Sequence, residues 1–141
     1  MYATATKTTA ELDAELNQMI LEGKALEAFA KFYAEGCIMI DQGFEPWVGK
    51  EVNREREEDF FSKITEFRAG VLGETAVRGD TSFSVWHWDY SHAEWGDVKY
   101  DQVAVRKWVD GFIVEERFYR DRKSTRLNSS HSQQSRMPSS A

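Results

Sequence analysis

The sequence lacks most of what would place it in a disulfide-built, metal-built or membrane class. Its one cysteine, Cys37, cannot close an internal bridge; it sits in the apolar run Cys37–Ile40, where it reads as a small buried hydrophobe suited to a reducing cytoplasm. Of the three histidines, His87 and His92 fall on opposite faces of one strand and His131 lies in a divergent tail, so no metal constellation is expected. No apolar run approaches the roughly 20 residues of a membrane span. The stretch Met1–Thr9 has no hydrophobic signal core, and a cytoplasmic location is expected. Lysine and arginine do not cluster within residues 1–120 and the net charge is −6, which argues against nucleic acid as a partner. There is no glycine-rich phosphate loop, no Ser-His-Asp elbow and no internal repeat, and no cofactor is expected.

The chain changes character at its end. Residues 121–141, DRKSTRLNSSHSQQSRMPSSA, are basic and serine-rich with no aromatic residue, the composition of a disordered segment. They also resemble the in-frame translation of a common sequencing-library adapter: Asp121 through His131 and Ser135 through Ala141 match it, with Ser132, Gln133 and Gln134 at the variable index. The tail is therefore expected to be non-native and is set aside. It carries four Lys/Arg and one Asp, so residues 1–120 hold a net charge of −9.

What remains is long enough for one domain with a real core, read as residues 9–120 behind a disordered start at 1–8. Thr8-Thr9-Ala10-Glu11 is a capping box opening a helix. Leu12, Leu16, Met19 and Ile20 form its apolar stripe, with Glu11, Asp13 and Glu15 assigned to the other side. Gly23 ends it. Lys24–Ala34 reads as a second helix stopped by Gly36, then comes the strand Cys37–Ile40. Lys50–Ser62 reads as a third helix with Val48, Val52, Arg56 and Phe60 inward and Glu51, Arg54, Glu55, Glu57 and Glu58 on a solvated face.

From Thr65 the apolar period becomes two. Strands are expected at Phe67–Val77 (with bulges at Gly70 and Gly73), Ser82–Trp95, Val98–Trp108 and Phe112–Arg120, the last two joined by an Asp110-Gly111 hairpin turn. Helices followed by a meander of long strands give an α+β fold. The sheet must curl around the helices to cover their apolar stripes, giving a cone with an open end.

Asp41 stands where the apolar strand stops, followed by Phe44, Pro46 and Trp47. Tyr33-Ala34-Glu35-Gly36, then Asp41, then Glu45-Pro46 and Gly49, resembles the segment around the catalytic base of the ketosteroid isomerase family. That family belongs to the NTF2-like (cystatin-like) superfamily, with the SnoaL-like polyketide cyclases and scytalone dehydratase. The resemblance implies an NTF2-like cone over about residues 9–120, with Asp41 on the base and Tyr90 on the cyclases' pocket histidine. It departs at two places. Asn17 falls where the isomerases have an oxyanion tyrosine, and Ala104 where isomerases and cyclases share a strand acid, so ketosteroid isomerisation itself is not implied.

Strand alternation sorts the candidates for the pocket. Trp86, Trp88, Tyr90 and His92 share one face of their strand. Tyr100, Gln102, Ala104, Arg106 and Trp108 share one face of the next, and Val114, Glu116, Phe118 and Arg120 one face of the last. These sets are assigned to the concave side, because they hold most of the large aromatics with a few isolated polar groups, as a small-molecule site does. Asp41 and Tyr90 are the expected catalytic pair. Trp47, Trp86, Trp88, Tyr100, Gln102, Arg106, Glu116 and Phe118 are the expected substrate-binding set.

The opposite face, with Val103, Val105 and Ile113, is expected to form a homodimer. The chemistry on offer is general acid–base work: Asp41, its pKa raised by burial, taking a proton next to a carbonyl, with Tyr90 or Tyr100 donating to the enolate oxygen. Two alternatives stand beside it: Asp41 as an Asx-turn residue capping the loop at Gly43, and His87–Asp89 as an acid–base pair. The functional expectation is a cofactor-independent isomerase, cyclase or dehydratase acting on a small apolar carbonyl compound. The alternative is a domain that binds a ligand or partner without turnover.

Overall fold

The structure is a computed structural model that describes residues 7–121. Most of the expected disordered start and all of the adapter-like tail but Asp121 lie outside the described residues. The elements run α1 (Thr9–Leu21), α2 (Ala25–Phe32), β1 (Tyr33–Asp41), β2 (Trp47–Val48), α3 (Lys50–Ser62), β3 (Ile64–Arg78), β4 (Thr81–His92), β5 (Gly96–Val109) and β6 (Phe112–Arg120). The strands form one sheet in the order β2-β1-β6-β5-β4-β3. β1 runs parallel to β6, and every other neighbouring pair is antiparallel. Among the described residues no helix is long and apolar enough to cross a membrane.

The capping box forms as read: Thr8 Oγ1 accepts from Glu11 N at 3.1 Å and Glu11 Oε1 from Thr8 N at 2.8 Å. The inward face of α1 is more polar than its periodicity suggests, however. Asp13 and Asn17 are buried with Leu16, because partners on the sheet satisfy them. α2 ends at Phe32, two residues earlier than expected, and Tyr33 is already extended at φ −98°, ψ 137°. Gly36 therefore does not stop a helix. It lies inside β1, in the register shift between Tyr33 and Ile38.

On α3 the stripe is also rotated. Val52 is exposed, while Asn53, Glu57 and Phe60 are buried. Asn53 Nδ2 donates to the carbonyls of Trp47 (3.1 Å) and Gly49 (2.9 Å), fixing the helix start on the β1–β2 ribbon.

Alternation holds along β4 and β5: Ser82, Ser84, Trp86, Trp88, Tyr90 and His92 are buried, as are Val98, Tyr100, Gln102, Ala104, Arg106 and Trp108. It breaks in β6. Lys107 pairs with Glu115 but Trp108 pairs with Ile113, so Val114 is the extra residue of a bulge. The bulge turns Ile113 into the core, against its expected place on the outer face, while Glu116 and Phe118 stay inward. At the β5–β6 turn Asp110 (φ 51°) and Gly111 (φ 84°) both adopt the left-handed conformation that this hairpin requires.

β3 is bulged around both of its central glycines, with register shifts between Phe67 and Ala69 and between Leu72 and Thr75. Gly70 itself is paired with Trp88, and it is glycine for space. A Cβ there would stand 2.6 Å from Trp88 Cζ3, so the indole lies directly against the β3 backbone.

Candidate active site

The buried side of the sheet carries a continuous polar network. Arg106 of β5 is its hub: Nε donates to Glu116 Oε2 at 2.8 Å, and Nη1 to Asp13 Oδ1 and Asn17 Oδ1, each at 2.8 Å. Tyr33 OH donates to Glu116 Oε1. Ser82 Oγ donates to Asp13 Oδ1 at 2.7 Å and accepts from Trp108 Nε1 at 3.0 Å. Burial alone would make Arg106 easier to deprotonate, but Glu116 and Asp13 outweigh it and hold the guanidinium charged. Burial, reinforced by Glu116, pushes the Tyr33 phenol well above its ordinary value. Charges removed from water need this degree of pairing.

A second cluster closes the far end of β1. Asp41 is fully buried. Its Oδ1 accepts from Gln42 N at 2.9 Å and its Oδ2 lies 3.4 Å from Arg120 Nη2. Burial pushes the Asp41 carboxyl up to about 6, against the opposing pulls of Arg120, the Gln42 amide and Arg56. Arg120 also stands 5.9 Å from the Tyr100 ring, and the Tyr100 and Tyr90 hydroxyls are hydrogen-bonded at 2.8 Å. Burial drives Tyr100 up to about 12 and Tyr90 well above its ordinary value. Arg56 lies over the Trp47 ring at 3.8 Å and completes the positive side of the cluster.

Two cavities meet behind this surface. An outer cleft of about 580 Å³ opens between the α1–α2 turn, the end of α3 and strands β3 and β4; Leu21, Leu26, Phe61, Phe67, Trp86 and Trp88 form most of its apolar lining. An inner chamber of about 30 Å³ is lined by Tyr33, Glu57, Gln102, Arg106 and Glu116 among apolar neighbours. Ile20, Ala25 and Trp86 line both. The chamber also touches Met39 and Phe118, respectively two residues before Asp41 in β1 and the β6 partner of Asp41.

This arrangement can be set against known families. The model of the SnoaL-like domain matches residues 7–120. The chain belongs to the SnoaL-like domain family. Its fold is the NTF2-like (cystatin-like) fold seen in solved structures. A protein from Mesorhizobium loti, provisionally described as a SnoaL-like polyketide cyclase, superposes with TM-score 0.74 at 24% identity, over 80% of this chain and 99% of that one. An NTF2-like protein from Burkholderia thailandensis gives TM-score 0.73 at 14% identity, over 94% and 100%. A cystatin-like-fold protein of unknown function from Xanthomonas campestris gives 0.72 at 15%, over 84% and 95%. No functionally curated protein matches the sequence.

Within this SnoaL-like domain the expected site residues other than Trp47 divide into three groups. Asp41, Tyr90 and Tyr100 gather around Arg120. Gln102, Arg106, Glu116 and Phe118 line the inner chamber. Trp86 and Trp88 stack at 5.0 Å with an 11° interplanar angle at the floor of the cleft, and Trp88 Nε1 donates to Gln102 Oε1 at 3.2 Å. Trp47 stands apart from both cavities, packed on Arg56 and Phe44.

His87 and Asp89 do not pair with each other: His87 Nδ1 meets Asp101 at 2.7 Å across the strands, and Asp89 accepts from Arg68 Nε at 2.9 Å. Four residues of the network and chamber, Asp13, Asn17, Tyr33 and Glu57, are not among the site residues expected from the sequence. Asp13 and Glu57 look like solvated-face carboxylates because only their tertiary partners give them away. No group of three or more potential metal ligands occurs among the described residues.

Proposed function

We propose that this SnoaL-like domain binds a small, largely apolar carbonyl compound and acts on it by cofactor-independent acid–base chemistry, as an isomerase, cyclase or dehydratase. Asp41 is the base. The ligand's apolar body lies in the cleft over Trp86 and Trp88; Asp41, Tyr90 and Tyr100 line neither the cleft nor the inner chamber, so the carbonyl end reaches them only when side chains at Met39 and Phe118 shift. Above a pH of about 6 the Asp41 carboxylate takes a proton from the carbon next to the carbonyl. The electron pair moves onto the carbonyl oxygen, where the Tyr90–Tyr100 pair has one hydroxyl proton to donate to the enolate. Return of the proton from Asp41 to another carbon completes an isomerisation. Trp47, Gln102, Arg106, Glu116 and Phe118 are assigned to holding the substrate or its pocket, and the outer sheet face, where Val109 and Tyr119 are exposed, to a homodimer.

One observation carries this reading: a fully buried carboxyl that burial raises to about 6, at the end of the strand that walls the chamber. The test is deuterium uptake from D2O into 1-indanone. Wild-type protein should catalyse exchange next to the carbonyl and Asp41→Asn should lose it. Absence of exchange with wild-type protein, or exchange that survives in Asp41→Asn, overturns the reading.

A second reading, binding without turnover, is favoured by a different observation. The inner chamber is about 30 Å³, room for about one or two waters, and two of its charged groups, Arg106 and Glu116, are paired with each other. On this reading ligand binding persists in Asp41→Asn and there is no turnover to lose.

A further inference from the structure

Arg56 of α3 is a half-buried cation whose donors are only partly committed. Its guanidinium carbon lies over the Trp47 ring, 3.8 Å from the centroid. Nη2 donates to Asn53 Oδ1 at 3.1 Å and stands 4.0 Å from Met39 Sδ. Asn53 is itself tied to the carbonyls of Trp47 and Gly49, so the guanidinium is held at its face and at one end. Its other two nitrogens, Nε and Nη1, are shut off from solvent and have no hydrogen-bond partner among the described residues. Arg106 differs: its Nε and Nη1 both donate, to Glu116, Asp13 and Asn17. A buried charged donor without a partner destabilises the fold, and stacking on Trp47 does not satisfy it.

Position says what completes it. Met39, whose sulfur meets Nη2, also lines the inner chamber. Asp41 lies two residues further along β1, and both side chains are buried. Burial makes Arg56 easier to deprotonate, and the carboxylates near enough to oppose this are Glu57, Asp41 and Glu116. Arg56 is in turn one of the groups that pull the Asp41 carboxyl down. Met39 is unbranched with three rotatable bonds, so its side chain can move while its backbone stays paired with Trp47 and Glu116.

We propose that Arg56 binds the carbonyl oxygen of the ligand, donating to it from Nε or Nη1 once the Met39 side chain has moved aside. The shift that opens a way from the chamber to Asp41 also uncovers the guanidinium. The ligand is thus an apolar compound with an acceptor oxygen at its deep end, and a hydrocarbon of the same shape is bound poorly. A carbonyl oxygen has two lone pairs, so one remains for the Tyr90–Tyr100 pair. When Asp41 takes the proton from the neighbouring carbon, the electron pair moves onto that oxygen. The guanidinium keeps all its protons and faces the developing negative charge. The inference rests on the reading that the ligand's body lies in the cleft and its carbonyl beside Asp41. It does not require Asp41 to act as a base.

Two probes of one shape test it: 2-acetylnaphthalene and 2-isopropenylnaphthalene, which differ in a C=O against a C=CH2. Binding is followed by the NMR shifts of the Trp86 and Trp88 indole N–H groups and of the Arg56 Nε–H group. The ketone should bind about tenfold tighter, the scale of one charge-assisted hydrogen bond. It should also move the Arg56 signal, which the alkene leaves in place. Arg56→Met keeps an apolar stem against Trp47 and should abolish the preference by weakening the ketone alone. Three results overturn the inference and leave the cleft reading intact: equal binding of the two probes to wild type, an Arg56 signal indifferent to the ketone, or a preference that survives in Arg56→Met. Equal weakening of both probes in Arg56→Met makes Arg56 a packing residue and also overturns it. Failure of both probes to move either indole overturns the cleft reading and this inference together. An Arg56-dependent preference without deuterium exchange into the ketone supports the inference and removes Asp41 as a base.

Discussion

Arg120 Nη2 stands 3.4 Å from Asp41 Oδ2, joining the last residue of β6 to the last residue of β1. The two strands are parallel neighbours, so their ends arrive side by side. The contact is long for a charge-assisted bond, and burial outweighs it: the Asp41 carboxyl rises to about 6 instead of falling. Asp41 is thus charged near neutral pH at a cost to the fold.

That cost predicts a pH dependence. The Asp41 pKa is raised on folding from 3.8 to about 6, so the native state binds the proton more tightly. The associated stability is fully present below about pH 3.8 and is lost as pH rises through about 6. Asp41→Asn removes the effect. Relative to wild type it should gain up to about 3 kcal/mol between pH 4 and pH 7, less whatever the Arg120 contact contributes. Urea unfolding of both proteins across that range checks it. A difference that does not change with pH contradicts the assignment.

His92 predicts the opposite slope. Burial lowers its pKa below the ordinary 6.5, and its ring stacks on Trp95 at 3.7 Å and on Phe60 at 5.4 Å. The unfolded chain takes up this proton first, so the contribution is present above pH 6.5 and is lost as pH falls through the folded-state value. His92→Phe, which keeps a ring in the stack, should flatten that part of the acid limb in the same unfolding series.

Gly70 and Gly36 separate space from backbone freedom. Gly70→Ala drives a methyl group to 2.6 Å from the Trp88 indole and should cost about 1–3 kcal/mol, displacing the Trp88 N–H signal. Gly36 has nothing within 4 Å of an added Cβ and no left-handed φ. Gly36→Ala should be neutral or stabilising by up to about 1 kcal/mol. Thermal unfolding of the two variants side by side reads the contrast directly.

Arg106→Met tests the network. It leaves Asp13 and Glu116 buried without their cation and should destabilise the domain by about 3–5 kcal/mol, lowering Tm by more than about 10 °C. A loss below about 1 kcal/mol, the range of exposed pairs such as Arg54–Glu58, would show that the network is not desolvated as the structure has it.

Much of this was legible in the sequence. Strict alternation in β4 and β5 picked out the inward Trp86, Trp88, Tyr90, Tyr100, Gln102 and Arg106, because a strand's faces follow from period two. The capping box at Thr8 and the Asp110-Gly111 turn were equally readable, since each is a local motif with a fixed geometry. What was hidden depends on partners far along the chain. Asp13 faces inward because Arg106 lies 93 residues away, and Glu57 because α3 docks on Asn53 and not on Val52. The β6 bulge at Val114 reverses a face with no local signal. Asp41 could be placed at a strand end, but its pairing with Arg120 arises only from the parallel β1–β6 contact.

The most direct test of the central claim is the Asp41 pKa itself, followed by the side-chain carboxyl carbon shift in an NMR titration. The account predicts a midpoint near 6, a desolvated carboxyl suited to act as a base. A midpoint at or below the ordinary 3.8 would mean that Arg120 and the Gln42 amide hold Asp41 ionised as a strand-end cap, and acid–base catalysis by Asp41 would fall with it.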